Sequence, residues 1–237
     1  MHTQTGTPTS RSMRSPSGAG VRSLPSLEAV DELRNAFEVG RRLTRHQYLY
    51  RAGDVCTGIY LIEDGSVKVS TLSAGGDEQI VRFYLPGEIL ALEALGESRH
   101  SSSAMALEPT RVRILSFAAL EALSERSPGL YRRLLHLVSR RIAELQDHML
   151  MLGRKTAPER LAGFLTDLSL RSHSHELTLS MSRDAIGSYL GIALETVSRL
   201  LHQFQDENLI CLHGRHVDVV EPARLRQMAE GDYMRAA

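Results

Sequence analysis

SRDAIGSYLGIALETVSRLLHQF, residues 182–204, decides how the C-terminal part of the chain folds. Apolar residues recur at helical spacing from Ala185 to Leu190, the pattern stops at Gly191, and it resumes from Val197 to Phe204. Helical spacing on either side of a glycine predicts two short helices joined by a tight turn. Such a helix-turn-helix is typical of DNA-reading domains, whereas an αα-hairpin that only packs would show the same spacing.

The second predicted helix has an apolar face, which packs on the domain, and a polar face near its start. Glu195, Ser198 and Arg199 are spaced i, i+3 and i+4 and therefore share that polar face. An arginine can bond guanine O6 and N7, a carboxylate can accept from cytosine N4, and a serine can contact a neighbouring base or phosphate. The predicted DNA-binding residues are Glu195, Thr196, Ser198, Arg199, His202 and, in the hairpin that follows, Arg215.

IGSYLGIALETVSRLLHQFQDENLI, residues 186–210, resembles the helix-turn-helix of the CRP/FNR transcription regulators. The pattern Glu-x-x-Ser-Arg at Glu195, Ser198 and Arg199 matches the FNR branch, and the resemblance extends over about residues 45–222. It implies a homodimer on double-stranded DNA, in which each subunit reads one half of a TTGAT-N4-ATCAA palindrome. It also implies contacts to RNA polymerase during activation and control of low-oxygen or respiratory genes.

Composition sets the class of protein and its compartment. With 237 residues and 42% hydrophobic content, the chain has room for two modest domains. A formal net charge of zero means that DNA affinity must come from the local placement of basic side chains. No apolar run is long enough to span a bilayer or to form a signal peptide, which predicts a cytoplasmic protein without a membrane partner. The predicted units are a disordered tail (1–24), an effector-type β-barrel domain (25–127), a dimerisation helix (128–153) and a winged helix-turn-helix domain (154–237).

Between Arg45 and Leu115 the hydrophobic period is two, and glycine-containing turns separate the apolar runs. Several short strands joined in this way predict a jelly-roll β-barrel, so the predicted fold class is α+β. A short helix is predicted before the barrel, over Leu27–Phe37. The resemblance identifies the barrel as a cyclic-nucleotide-binding, or cupin-like, effector domain. The strand-like runs are YLYRAGD (48–54), GIYLIEDGSVKVSTL (58–72), DEQIVRFYLPGEIL (77–90) and RVRILS (111–116).

The barrel is predicted not to bind a cyclic nucleotide. The family's phosphate cassette pairs Gly-Glu with a following Arg-Ser/Thr-Ala, because an arginine and a helix N-terminus together neutralise the cyclic phosphate. Gly87 and Glu88 match the first motif. The second motif is replaced by Ser-Ser-Ala at 102–104, and Arg99 lies three residues too early. A bidentate phosphate partner is therefore missing.

No cofactor is predicted. The family's oxygen sensors hold a [4Fe-4S] cluster through an N-terminal cysteine group and one barrel cysteine, and such a cluster needs about four thiolates. The chain has two cysteines, Cys56 and Cys211, and Arg113 occupies the aligned barrel position. Cys56 is the candidate redox thiol if it is exposed and its pKa is lowered, whereas Cys211 is expected to pack in the last hairpin.

A long helix after the barrel carries a heptad seam flanked by charged residues. Its apolar positions are spaced 4, 3, 4, 3, 4 and 3 residues apart, starting at Tyr131. A stripe this narrow predicts a parallel dimer, and the alternative is a helix packed only on its own barrel. In the family's oxygen sensors an acidic residue is aligned with this part of the helix, so the apolar Leu145 is expected to favour association without a ligand. The seam consists of Leu135, Val138, Ile142, Leu145, Met149 and Leu152.

Other function classes have little support. The chain has no G-x-S-x-G, no glycine-rich phosphate loop and no metal-ligand spacing among its ten histidines, so neither an enzyme nor a metal site is predicted. NLICLHGRHVDVV, residues 208–220, alternates around His213 and Gly214 and predicts the hairpin of a winged helix. The sequence therefore predicts a DNA-binding transcription regulator. The alternative is a regulator whose barrel senses redox state or binds haem, a nucleotide or another small effector.

Overall fold

Eight short strands form two four-stranded antiparallel sheets in the computed structural model, which describes residues 35–126 and 128–231. The strands are β1 (Glu38–Leu43), β2 (Tyr48–Tyr50), β3 (Gly58–Asp64), β4 (Val67–Leu72), β5 (Glu78–Tyr84), β6 (Ile89–Leu90), β7 (Ser103–Ala106) and β8 (Thr110–Ser116). Their order is β1-β8-β3-β6 in one sheet and β2-β7-β4-β5 in the other. A short 3-10 helix, Leu92–Gly96, follows β6.

The side chains of β3 show how the barrel is filled. Tyr60 and Ile62 belong to the core between the two sheets, whereas Ile59 and Leu61 belong to a second core under the helices that follow the barrel. Because both faces of β3 are buried, its apolar run is nearly continuous. The predicted jelly-roll barrel and the α+β fold class are confirmed.

Two strands, β1 and β7, lie outside the runs that the alternation predicts. The sequence of β1 is EVGRRL and that of β7 is SAMA, so neither shows a two-residue hydrophobic period rich in β-branched side chains. Pairing with β8 and with β4 makes them strands. The predicted tail, 1–24, and most of the predicted helix Leu27–Phe37 lie outside the described residues, although Asn35 and Ala36 are helical.

Six helices and a three-stranded sheet follow the barrel in the described part of the chain. None of these helices is long and apolar enough to cross a membrane. The helices are α1 (Phe117–Arg126), α2 (Pro128–Arg154), α3 (Ala157–Ser172), α4 (Arg183–Leu190), α5 (Leu194–Asp206) and α6 (Pro222–Glu230). The strands β9 (Glu176–Thr178), β10 (Ile210–His213) and β11 (His216–Val219) pair in the order β10-β11-β9.

The long helix α2 has two apolar faces. On one face Leu130 and Leu134 are 4% and 7% exposed and pack on the outer side of the barrel. On the other face Leu135, Ile142 and Met149 are 51%, 52% and 71% exposed. Packing on the chain's own barrel therefore accounts for only one of the two faces.

The C-terminal domain and the barrel share one apolar core. Helix α3 begins at a capping box in which Thr156 and Glu159 each bond the other's backbone N–H, which satisfies donors that a helix start leaves open. The helix buries Leu161 and Leu165 against α5 and α6, and Phe83 of β5 joins the same cluster.

The segment after α3 differs from the sequence-based expectation. The sequence pattern predicts only a polar connection there, but helix α3 continues to Ser172 and β9 begins four residues later.

Candidate nucleic-acid interface

The helix-turn-helix consists of α4 and α5. Ser182 caps α4, because its hydroxyl accepts a hydrogen bond from the backbone N–H of Ala185 at 3.1 Å. Gly191 ends α4 with a φ of +62°, a left-handed conformation that costs glycine little. At Gly187 a Cβ atom would lie 2.6 Å from the carbonyl oxygen of Ile192, so this close approach also requires glycine. The predicted helix-turn-helix is confirmed.

Helix α5 presents the predicted DNA-reading residues to solvent. Glu195, Arg199 and His202 are exposed, and Thr196 and Ser198 are half-buried. The His202 ring donates from Nδ1 to the carbonyl oxygen of Ser198 at 2.7 Å, which holds that ring along the helix. Within the described ranges neither Glu195 nor Arg199 has an ion-pair partner, so both side chains are available to a bound molecule. The buried face of α5 consists of Val197, Leu200, Leu201 and Phe204.

The wing is the hairpin of β10 and β11. The two strands pair from Ile210 opposite Val219 to His213 opposite His216, which leaves a two-residue turn between them. The first turn residue, Gly214, has a φ of +65°. The second is the exposed Arg215, whose guanidinium donates to the carbonyl oxygen of Ser180 at 3.2 Å. The position of Arg215 in the turn places a cationic residue at the end of the wing, and this hydrogen bond ties its guanidinium to the segment before α4.

Helix α4 is held on the barrel by an edge strand. Strand β5 lies at the edge of its sheet and so has backbone groups without a strand partner. The Ser188 hydroxyl of α4 donates to the carbonyl oxygen of Glu78 at 3.0 Å and accepts from the N–H of Ile80 at 3.1 Å. The Gln79 side chain donates to the Ser188 carbonyl oxygen at 2.6 Å. These bonds fix the position of the helix-turn-helix relative to the barrel.

An ion pair between Glu88 and Arg171 also connects the two domains. Arg171, in the last turn of α3, donates to both carboxylate oxygens of Glu88 at 2.8 Å and to the carbonyl oxygen of Phe83 at 2.6 Å. Burial alone would raise the pKa of Glu88, but the charge and hydrogen bonds of Arg171, together with the charge of Arg82, outweigh burial and lower that pKa. Glu88 is therefore ionised and paired near neutral pH.

Glu88→Gln is expected to lower the free energy of unfolding by about 2–3 kcal/mol at neutral pH, because it removes the bidentate partner of Arg171 and leaves, among the described residues, only Asp167 to balance the buried guanidinium. The folded-state pKa of Glu88 is below its ordinary value of 4.5. Its stabilisation is therefore present above the ordinary value and is lost as the pH falls through the lowered pKa. Urea unfolding at a series of pH values should show that the difference in free energy of unfolding between wild type and variant becomes smaller as the pH falls.

A control at an exposed carboxyl separates this effect from a general charge effect. Glu121→Gln, on the exposed side of α1, should change the free energy of unfolding by less than about 0.5 kcal/mol. If the difference in free energy of unfolding between wild type and Glu88→Gln stayed constant through the acid range, this result would contradict the expected role of the ion pair.

The predicted seam residues lie along α2. Leu145 is 37% exposed, beside the more exposed Leu135, Ile142 and Met149. Val138 and Leu152 are half-buried. Val138 packs partly against the barrel-side core, and Leu152 lies beside Gly191 of the helix-turn-helix. The uncovered part of the seam in the described ranges is therefore Leu135, Ile142, Leu145 and Met149.

The two cysteines lie in different surroundings. Cys56 is 8% exposed in the barrel core, and burial, together with the charges of Glu93 and Glu97, raises the pKa of its thiol. The two conditions for a redox thiol, exposure and a lowered pKa, are therefore not met at Cys56. Cys211 lies in β10 of the hairpin, where it is half-buried and its Sγ atom lies 3.2 Å from Nε2 of His213.

Three side chains that can bind a metal ion lie close together on the wing. One ligand atom each of Cys211, His213 and Asp218 lies within 4.8 Å of the other two. The prediction of no metal site rests on spacing along helices, whereas this group depends on strand register, in which Cys211 faces Asp218. The sequence pattern that would indicate this group is Cys-x-His on one predicted strand with an aspartate on the neighbouring strand.

Comparison with known proteins supports the assignment of both domains. The family model of the cyclic nucleotide-binding domain matches residues 40–127, and that of the Crp-like helix-turn-helix domain matches residues 159–228. The transcriptional activator protein Anr of Pseudomonas protegens is 40% identical over 211 residues, which cover 87% of this chain and 86% of that protein. The chain belongs to the CRP/FNR family of transcription regulators.

Other CRP/FNR proteins show similar coverage. The fumarate and nitrate reduction regulatory protein of Escherichia coli K12 is 37% identical over 205 residues, which cover 84% of this chain and 82% of that protein. The solved structure of FixK2 from Bradyrhizobium japonicum has a TM-score of 0.75 and 32% identity, and the match covers 79% of this chain and 95% of that chain. These relatives are regulators of transcription or share the regulator fold.

The residues at the CRP/FNR cyclic-nucleotide cassette do not fit a cyclic phosphate. Glu88, the acidic residue of the cassette, forms an ion pair with Arg171. Arg99 is turned to the barrel loop, where it donates to the carbonyl oxygen of Gly53 at 2.6 Å. Neither residue is arranged as the arginine-phosphate pair that the cassette requires.

An iron-sulfur cluster of the FNR type does not fit either. Arg113, at the barrel position where the resemblance places a thiolate, donates a hydrogen bond to the carbonyl oxygen of Phe37. Cys56 is buried in the barrel, and Cys211 lies on the wing of the other domain. Two thiols in separate domains fall short of the four or so that such a cluster needs.

Proposed function

We propose that the protein is a homodimeric activator of transcription that reads a TTGAT-N4-ATCAA-like palindrome in the cytoplasm. The observation that carries this proposal is the exposed face of α5, where Glu195, Ser198 and Arg199 stand together near the helix start. In a docked helix-turn-helix these positions meet base edges in the major groove. Arg199 is suited to guanine and Glu195 to the cytosine of a neighbouring pair.

The open stripe on α2 supports the dimer. Burying a leucine or methionine side chain contributes about 1.5–3 kcal/mol, and Leu135, Ile142, Leu145 and Met149 are all well exposed in one chain. A second copy of α2 covers the stripe through the same heptad seam. The two recognition helices then lie about one DNA turn apart, as a palindrome requires.

The proposed regulator works without an iron-sulfur cluster. Arg113 and the buried Cys56 leave no thiolate set for a cluster, and Leu145 adds apolar area to the seam instead of a charge. Two relatives bear names that refer to activation and to fumarate and nitrate reduction, which supports activation of respiratory genes at low oxygen. Activation in this proposal includes contacts from surface loops to RNA polymerase.

A second candidate function is control by a small effector in the barrel. His100 is 3% exposed, and its ring stacks on Tyr50 with centroids 3.6 Å apart. Burial lowers the pKa of His100, and among the described residues neither ring nitrogen has a hydrogen-bond partner. A nucleotide or another small effector would supply such a partner, and haem would instead use a ring nitrogen as an iron ligand. A change in operator affinity upon titration with haem or cyclic nucleotides would favour this candidate.

Fluorescence anisotropy with the palindrome and a scrambled duplex tests the main proposal. At fixed salt, aerobically purified protein should bind the palindrome at least about a thousandfold more tightly, with two chains per duplex. Affinity should be the same with and without a reductant. Equal affinity for the two duplexes would contradict sequence-specific binding, and binding only under reducing conditions would contradict independence of a redox cofactor.

A further inference from the structure

The outer face of the wing gathers residues that bind metals. Cys211 and His213 alternate on β10, so they share one face of the strand. Asp218 is directly opposite Cys211, and His216 is directly opposite His213. Side chains of directly opposed residues point to the same side of a sheet. One sulfur, two imidazoles and one carboxylate are therefore placed on one face of two neighbouring strands of the three-stranded sheet. The His216 ring also contacts the Thr178 hydroxyl of β9, 3.1 Å from its Nδ1 atom.

The distances suit a shared ion. The Sγ atom of Cys211 and Nε2 of His213 are 3.2 Å apart, and a ligand atom of Asp218 completes a group within 4.8 Å. A tetrahedral ion with a metal–sulfur distance of about 2.3 Å and a metal–nitrogen distance of about 2.0 Å holds these two atoms roughly 3.5 Å apart. Small side-chain rotations are enough to place all three atoms around one ion.

The donor set selects the kind of metal. A thiolate and an imidazole favour a borderline-soft ion such as Zn²⁺, whereas Mg²⁺ and Ca²⁺ prefer oxygen ligands alone. We propose that the wing binds one Zn²⁺ ion through Cys211, His213 and Asp218. Upon binding, the Cys211 thiol releases its proton to solvent as the sulfur–metal bond forms, and no group changes its oxidation state. Water takes the fourth position.

The location of the site links metal binding to DNA binding, a link that rests on the proposed function. His213 directly precedes the turn that carries Arg215. An ion bound by β10 and β11 cross-links the two strands beside this turn and adds positive charge to the wing. Phosphate contacts are independent of base sequence, so the ion strengthens binding to operator and scrambled DNA alike.

Titration with Co²⁺, a spectroscopic substitute for Zn²⁺, tests the site in the reduced full-length protein. We expect one Co²⁺ per chain, with thiolate-to-cobalt charge-transfer absorption and the visible bands of a tetrahedral site, and displacement of Co²⁺ by Zn²⁺. Cys211→Ser should abolish the charge-transfer absorption and weaken binding about 100-fold or more, and Asp218→Asn should weaken it about tenfold or more. Cys56→Ser, which removes the other thiol, is the matched control and should bind Co²⁺ as the wild type does.

Absence of charge-transfer absorption in the wild type, or its persistence in Cys211→Ser, would overturn the site. A second experiment measures DNA binding. Zn²⁺ should raise the affinity of the wild type for both duplexes by about three- to tenfold, and it should leave the affinity of Cys211→Ser for both duplexes unchanged. Equal effects of Zn²⁺ on wild type and Cys211→Ser would overturn the link to DNA. Failure of the proposed function would appear instead as a lost preference for the operator while the Co²⁺ spectrum is retained.

Discussion

Arg199→Ala is expected to remove most of the preference for the TTGAT-N4-ATCAA palindrome over scrambled DNA. A bidentate arginine–guanine contact contributes about 1–3 kcal/mol of discrimination, and a dimer makes the contact twice. The expected loss is therefore about 4 kcal/mol, or roughly a thousandfold in operator affinity. Arg199 is exposed on α5, opposite the buried Leu200 and Leu201, so the variant should keep the wild-type fold. Anisotropy titrations with the two duplexes at fixed salt measure both effects.

The wing provides the matched control for Arg199. Arg215→Ala also removes one exposed positive charge, but at a position predicted to contact phosphate. It should weaken binding to operator and scrambled DNA by the same factor and reduce the dependence on salt. If Arg199→Ala also weakened binding to both duplexes by the same factor, α5 would not be the helix that reads the bases.

Leu145→Asp is expected to convert the dimer to a monomer at micromolar concentration. Two seam leucines are lost per dimer, and because each is 37% exposed in one chain, the lost burial costs about 1–2 kcal/mol. Two carboxylates then face each other across the seam, and the cost of desolvating them opposes association further. The dissociation constant of the dimer should rise by roughly a thousandfold or more, and operator binding should fall with it. Sedimentation velocity measures the association, and anisotropy measures operator binding in the same samples.

An exposed position on the same turn of α2 controls for helix propensity and charge. Ala143 is exposed two residues before Leu145 and is not part of the seam, so Ala143→Asp should remain a dimer with near wild-type operator affinity. Sedimentation of the wild type as a micromolar monomer would contradict the proposed ligand-independent dimer. A dimeric Leu145→Asp variant would show that the subunits associate through another surface.

The helix-turn-helix and the barrel could be predicted because their signals are local. Gly191 and the apolar spacing on both sides of it define two helices, and the nearly continuous apolar run of β3 reflects two buried faces. The strands β7 and β9 could not be predicted in this way. Their three or four residues carry no periodic pattern, and they become strands only by pairing with β4 and β11.

The contacts that assemble the candidate site are long-range and are invisible in the local sequence. Ser188 meets β5 more than a hundred residues away in the chain, and Arg171 pairs with the cassette residue Glu88. Glu88 matches the acidic position of a family motif, and in this chain its carboxylate joins the two domains. The wing cluster around Cys211 was missed for the same reason, because it requires the register of a hairpin.

Binding to three duplexes tests the central claim, that a constitutive dimer reads two half sites with two α5 helices. The first carries TTGAT-N4-ATCAA, the second carries one half site, and the third has five extra base pairs in the spacer, which rotate one half site by about half a turn. Two chains should bind the first duplex tightly. The affinity for the other two duplexes should be lower by roughly a hundredfold or more, with no added ligand and at any redox state. Equal affinity for all three duplexes would contradict the central claim.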